Sequence, residues 1–225
     1  MLFLWIPNPA LAGGIDQPQV CDVSADYSLG IEDYRGAIRR HLDIVRAHPQ
    51  DALAHYHLGF AFGMLGDRTS ELREYRQAKA LGLKAWDLFL NLGLAQLEQG
   101  DLGAATDSLR TAVLLGDDHP ETHYNLALAE QRSGMLADAE HETLASLLLN
   151  PDQPDARNLL GVIYAGQGNI ARASLIWRDL VRDLPDYQPA RANLALLGSP
   201  DAAANGEAAA DLPRPAAVHA IMAER

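Results

Sequence analysis

Five short strings recur in one frame along the chain: His57-Leu58-Gly59, Asn91-Leu92-Gly93, Asn125-Leu126-Ala127, Leu160-Gly161 and Asn193-Leu194-Ala195. Their leucines stand at 58, 92, 126, 160 and 194, each 34 residues after the last. A fixed period of this length marks stacked helix–turn–helix units, none of which can bury its apolar face alone. The spacing selects an all-α solenoid before any local propensity is weighed. It also points to binding rather than catalysis, because such arrays present extended surfaces.

The columns of the repeat say how each hairpin closes. With frames starting at 18, 52, 86, 120, 154 and 188, the eighth position holds Ala25, Gly59, Gly93, Ala127, Gly161 and Ala195. All are small, so two helix backbones can approach there. The twentieth position holds Ala37, Glu71, Ala105, Ala139 and Ala173, with Glu71 the exception. The fifteenth holds Gly66, Gly100, Gly134 and Gly168, where glycine ends a helix in left-handed dihedrals. Asp67, Asp101 and Asn169 follow three of these glycines, and Pro49, Pro151 and Pro185 sit where the second helix must stop. A buried, unpaired carboxylate at Glu71 is costly. Either that hairpin opens to water, or Arg68 or Arg73 shields the charge.

These columns resemble the tetratricopeptide repeat family: Leu-Gly at seven and eight, Ala at twenty, an apolar or aromatic residue at twenty-four and Pro at thirty-two. The resemblance covers residues 18–198. It implies a right-handed superhelical solenoid of antiparallel helix pairs, about five units in frames 18–51, 52–85, 86–119, 120–153 and 154–187, closed by a capping helix at 188–198. The family's fourth-position Trp is replaced by His55, Phe89, His123, Arg157 and Arg191, and its eleventh-position aromatic becomes Gln96 and Glu130 in two units. The first unit is worn, with Cys21, Ser24 and Ser28 where large apolar residues belong.

The flanks read differently. Residues 1–17 carry an apolar string, Leu2-Phe3-Leu4-Trp5-Ile6, then Ala10-Leu11-Ala12 before two glycines. Two readings fit: the stump of a secretory signal, which favours a periplasmic or exported protein, or a leader without meaning. Residues 199–225 are rich in Ala and Pro and read as a disordered tail. No apolar run is long enough to span a membrane. A single cysteine allows neither an internal disulfide nor a multi-cysteine zinc site.

A net charge of −12 argues against nucleic acid, which requires a basic face. The resemblance implies that first helices line a concave groove through positions two, five, six, nine, twelve and thirteen. Those positions are Tyr56, His57, Phe60 and Met64, then Asp87, Leu90, Asn91, Leu94 and Glu98. The fourth unit adds Glu121, Tyr124, Asn125, Leu128 and Arg132, and the fifth Asp155, Asn158 and Val162. An apolar, aromatic floor with an acidic rim suits a peptide or protein partner that buries a few anchors. The same residues can instead serve as core between repeats. A carboxylate clamp is disfavoured, because Lys79 and Lys84 are the only lysines and neither sits at a clamp position.

No catalytic set is legible. Gly166-Gln167-Gly168-Asn169-Ile170-Ala171 has the form of a dinucleotide fingerprint but spans a helix–turn–helix, not a strand-to-helix turn. His55 with His57, and His119 with His123, lack the glutamate placement of a helical zinc motif, so no metal or cofactor is expected. The expectation is a non-catalytic scaffold or adaptor, with a role in cell-envelope assembly. A self-assembly module and a regulatory subunit of an enzyme, such as a glycosyltransferase or secretion machine, are the alternatives.

Overall fold

The computed structural model describes residues 22–197. The expectations for the leader, for Cys21 and for the tail lie outside them. Within this range the chain forms two compact units, the first ending at Leu115 and the second starting at Gly116. The first contains α1 (Val23–Gly30), α2 (Tyr34–Ala47), α3 (Ala52–Met64), α4 (Arg68–Ala80), α5 (Trp86–Gln99) and α6 (Leu102–Leu115). The second contains α7 (Pro120–Arg132), α8 (Leu136–Leu149), α9 (Pro154–Gly166), α10 (Ile170–Asp183) and α11 (Gln188–Leu197). The described residues are all-α, as the period requires.

The turns repeat one chemistry. Gly66, Gly100, Gly134 and Gly168 all have φ between 77° and 81°. After each, a backbone N–H reaches five residues back: Asp67 to Phe62, Asp101 to Gln96, Met135 to Glu130 and Asn169 to Tyr164, at 2.8–3.0 Å. This is the Schellman closure, which satisfies carbonyls orphaned at a helix end. The residue after the glycine then caps the second helix. Asp67, Asp101 and Asn169 accept from Ser70, Ala104 and Arg172 backbone N–H groups. Met135 has the same backbone but makes no side-chain cap. In the worn first hairpin Glu32, at φ 60°, takes the place that glycine holds elsewhere, and Asp33 caps α2 through Gly36 N at 2.9 Å.

The small eighth position is matched to the twenty-fourth. A Cβ added at Gly59 would stand 2.7 Å from the Tyr75 ring, and one at Gly93 would stand 2.6 Å from Leu109 Cγ. Gly161 lies against Trp177 in the same way. Where the eighth residue is Ala127, the twenty-fourth is the smaller Thr143, which turns its hydroxyl onto the Ala139 carbonyl. The close approach therefore depends on a large side chain of the second helix lying over the glycine. The twentieth residue adds its backbone carbonyl, Glu71 O at 3.2 Å and Ala105 O at 3.3 Å.

The first unit's core gathers Tyr56, Leu72, Tyr75, Leu88 and Leu92 from α3, α4 and α5. In the second unit, Tyr124, Leu128, Leu159 and Ile163 join α7 to α9, and Trp177 and Leu180 pack with Ala190 beneath α11. Each such side chain contributes about 1.5–3 kcal/mol when fully buried, so these inter-helix seams carry most of the stability.

Two of the fourth-position departures have a shared structural role. His55 Nδ1 meets Glu74 Oε2 at 2.6 Å while Nε2 meets the Pro49 carbonyl at 3.2 Å. His123 repeats this with Glu142 Oε2 at 2.6 Å and the Asp117 carbonyl at 3.0 Å. In each unit the imidazole pins the first helix to the second and to the preceding loop, replacing tryptophan's area with hydrogen bonds. Glu71 resolves in favour of shielding: Arg68 Nη1 lies 2.5 Å from its Oε2, and Arg68 also pairs with Glu98. Arg73 turns instead to Glu74 at 2.9 Å. Space for the carboxylate comes from Gly63, whose missing Cβ would lie 2.5 Å from Glu71 Oε1.

Candidate partner-binding site

The expected groove positions divide by burial. Tyr56, His57, Leu90, Leu94, Tyr124, Asn125, Leu128, Asn158 and Val162 are buried. Phe60, Asp87, Asn91, Glu121 and Arg132 are half-buried, while Met64, Glu98 and Asp155 are exposed. The apolar floor is thus shared with the seams between helices: Tyr56 and the Tyr124–Leu128 pair belong to the cores of their units. His57 turns toward α1 and α2, where its Nδ1 lies 3.0 Å from Asp26 Oδ1. At position six, His57, Asn91 and Asn193 face the first helix of the preceding repeat, Asn193 donating to Asn158 Oδ1 at 2.9 Å.

In the first unit, Tyr56, Phe60 and Met64 form one stripe of α3, four residues apart on one helix face. Asp87, Asn91 and Glu98 form another on α5. The Tyr56 hydroxyl joins them: it accepts from Asn91 Nδ2 at 3.1 Å and donates to Asp87. Burial, with Asp87 adding to it, holds this phenol well above its ordinary range, so it remains a neutral donor. The network is complete in itself.

The second unit repeats the arrangement with one partner exchanged. Tyr124 and Asp155 stand where Tyr56 and Asp87 stand two repeats earlier. Here Asp155 Oδ1 accepts from the Tyr187 hydroxyl at 2.5 Å instead. Tyr124 Oη is left buried without a hydrogen-bond partner. Asn125 Nδ2 donates to the Glu121 carbonyl at 2.8 Å, but Asn125 Oδ1 has no partner, nor have Asn158 Nδ2 and Asn193 Oδ1. Buried polar atoms are nearly always satisfied, and each exception asks for a cause. Burial, reinforced by Asp155, raises the Tyr124 pKa above the ordinary phenol range, so a neutral hydroxyl is offered.

The groove columns contain Tyr124, Asn125, Asp155 and Asn158 but not Tyr187, whose hydroxyl takes Asp155 and leaves Tyr124 over. Tyr187 lies just before α11, outside the groove columns, and no periodic signal marks it.

The comparisons with known proteins agree on architecture. Neither protein-family models nor curated proteins give a match. Among solved structures, YrrB, described as a tetratricopeptide-repeat protein with an unusual peptide-binding site, superposes with a TM-score of 0.70 at 22% identity. That match covers 74% of this chain and 86% of YrrB. MamA superposes with a TM-score of 0.66 at 21% identity over 72% of this chain and 95% of its own. The Cut9–Hcn1 hetero-tetramer of APC/C gives 0.60 at 18% identity, over 78% of this chain and 35% of the matched one. Paired helices, the 34-residue period, the repeated glycine closure and these neighbours together establish that the chain has the tetratricopeptide-repeat fold.

Proposed function

We propose that this chain is a non-catalytic interaction scaffold whose first helices hold a peptide or a partner's extended segment. The observation that carries the reading is the surface stripe on the first unit's first helices, with Met64 exposed and Phe60 half-buried on α3, and Asp87 and Asn91 half-buried on α5. Burying one apolar side chain of this kind against a partner contributes about 1.5–3 kcal/mol, which gives the site affinity. Phe60, Met64 and the Asp87–Asn91 pair of the first unit offer apolar and acidic contacts of the kind a neutral or basic peptide uses. YrrB, a structural neighbour, is described as having a peptide-binding site, which supports the same class of ligand. A cell-envelope role rests on the N-terminal string alone.

The test is a random-peptide display selection against the full chain, followed by binding of the enriched peptides to variants. Enrichment is expected, with binding weakened about tenfold by Met64→Ala, equivalent to roughly 1.4 kcal/mol of lost apolar burial. Leu175→Ser, on the exposed face of α10, is expected to change nothing. No enrichment, or loss of binding on Leu175→Ser with Met64→Ala neutral, overturns the reading.

A further inference from the structure

Three side chains of the first unit converge on one point. Asp26 of α1, His41 of α2 and His57 of α3 each offer a ligand atom, and these atoms lie within 4.8 Å of one another. Asp26 Oδ1 is 3.0 Å from His57 Nδ1 and 3.6 Å from His41 Nε2. Both imidazoles are almost fully buried, His41 1% and His57 2% exposed, and their rings meet edge to face at 5.3 Å.

The hydrogen-bond pattern of His41 argues for a cation among them. Its Nδ1 lies 2.9 Å from the Ala37 carbonyl, which can only accept, so Nδ1 carries the ring proton. In a neutral imidazole Nε2 is then a bare lone pair, and it faces a carboxylate oxygen. Two electron-rich atoms 3.6 Å apart leave room for a positive charge held between them. A backbone carbonyl fixing the far nitrogen is also the usual way a ligating imidazole is oriented toward a metal. Bonds of about 2.0–2.1 Å to a tetrahedral zinc ion place its ligand atoms about 3.3 Å apart. The two observed separations, 3.0 and 3.6 Å, bracket that edge.

The geometry points to a binding site for one divalent metal ion of the zinc class, held by Asp26 Oδ1, His41 Nε2 and His57 Nδ1, with water completing the tetrahedron. Its place in the fold gives it a purpose. α1 presents Ser24, Asp26 and Ser28, and Ala25 is the only buried apolar side chain among its described residues, where other first helices bury several. A metal bridging α1, α2 and α3 fastens it instead, and imidazole–carboxylate sets suit zinc and cobalt rather than magnesium or calcium.

The experiment titrates chelator-treated full-length protein, carrying no affinity tag, with Zn²⁺ by calorimetry and with Co²⁺ by visible absorption. One equivalent of each is expected to bind, Co²⁺ with the strong bands of tetrahedral coordination, and Zn²⁺ is expected to slow amide exchange in α1. Asp26→Asn, which keeps the side chain's shape, and His41→Gln should each weaken binding by about tenfold or more. Circular dichroism on both variants checks that the helices persist. Absence of stoichiometric binding overturns the proposal. So does binding that survives both substitutions, because the metal then sits elsewhere on the chain.

Discussion

Removing Arg68 should expose how the second hairpin tolerates a carboxylate where its siblings have alanine. Glu71 is 6% exposed in its side chain and its Oε2 lies 2.5 Å from Arg68, whose own side chain is 31% exposed. Losing one partner of a fully buried pair costs about 3–5 kcal/mol. Because Arg68 reaches solvent, water can replace part of its effect, and we expect about 2–3 kcal/mol for Arg68→Ala. That corresponds to a melting temperature lower by roughly 4–12 °C for a chain of this size. Burial already raises the Glu71 pKa above its ordinary value of 4.5, with Arg68 opposing the rise. A raised carboxyl means the folded state holds its proton more tightly than the unfolded chain does. The associated stability is present at acid pH and is lost as pH rises from 4.5 through the raised value. Without Arg68 the rise is larger, so the Arg68→Ala deficit should be full at pH 7 and shrink as pH falls toward 4.5. Glu71→Gln on the Arg68→Ala background keeps the volume that Gly63 accommodates and removes the charge, and should recover at least about 1 kcal/mol. Urea and thermal melts of the wild type, both single variants and the double variant complete the cycle. A deficit below about 0.5 kcal/mol, the level of an ordinary surface change, would refute the shielding argument. A double variant no more stable than Arg68→Ala, or a deficit independent of pH, would refute it equally.

Further expectations concern the turns and pins. Met135→Asp supplies the one missing side-chain cap among the five second helices and should stabilise by about 1 kcal/mol, or roughly 2–4 °C; an unchanged melting temperature counts against the capping account. Glu32→Gly relieves a left-handed residue and should stabilise the first hairpin by up to about 1 kcal/mol, read as slower amide exchange in α1 and α2. The Glu142 bond raises the His123 pKa above 6.5. Burial pushes Glu142 up, but its bonds to His123 and His141 outweigh this and hold the carboxyl below 4.5. The stability due to His123 is full below 6.5 and fades as pH rises through its raised value; that due to Glu142 is full above 4.5 and fades at more acid pH. A His123→Gln variant should therefore lose stability mainly between those limits, and a deficit as large at pH 9 as at pH 5.5 would contradict the pairing.

What could be read from the sequence was whatever the period repeats. The turn glycines, the caps at Asp67, Asp101 and Asn169, and the close approach at Gly59, Gly93 and Gly161 are local rules stated several times over. Position eight could be read as small, but its match to Tyr75, Leu109 and Trp177 needs the second helix in place. His55 and His123 were legible as departures, yet their shared bonds to Glu74 and Glu142 become evident only when the hairpin closes. The left-handed Glu32 was hidden because no glycine marks its turn. The Asp26–His41–His57 cluster carries no local sequence motif, because its members lie on three different helices. In the candidate site, burial could not be ranked from columns: Tyr56 and Phe60 share a stripe, yet one is core and the other half-buried. The exchange that leaves Tyr124 over depends on Tyr187, which belongs to no groove column.

The most direct measurement is the affinity of Met64→Ala for a peptide selected on the wild-type chain, paired with its melting temperature. Met64 is 43% exposed at the end of the α3 stripe, so its removal should change the fold's stability by no more than about 0.5 kcal/mol. The scaffold account predicts binding about tenfold weaker, with a melting temperature within about 2 °C of the wild type. Unchanged affinity, or a loss of affinity accompanied by an equal loss of stability, would contradict it.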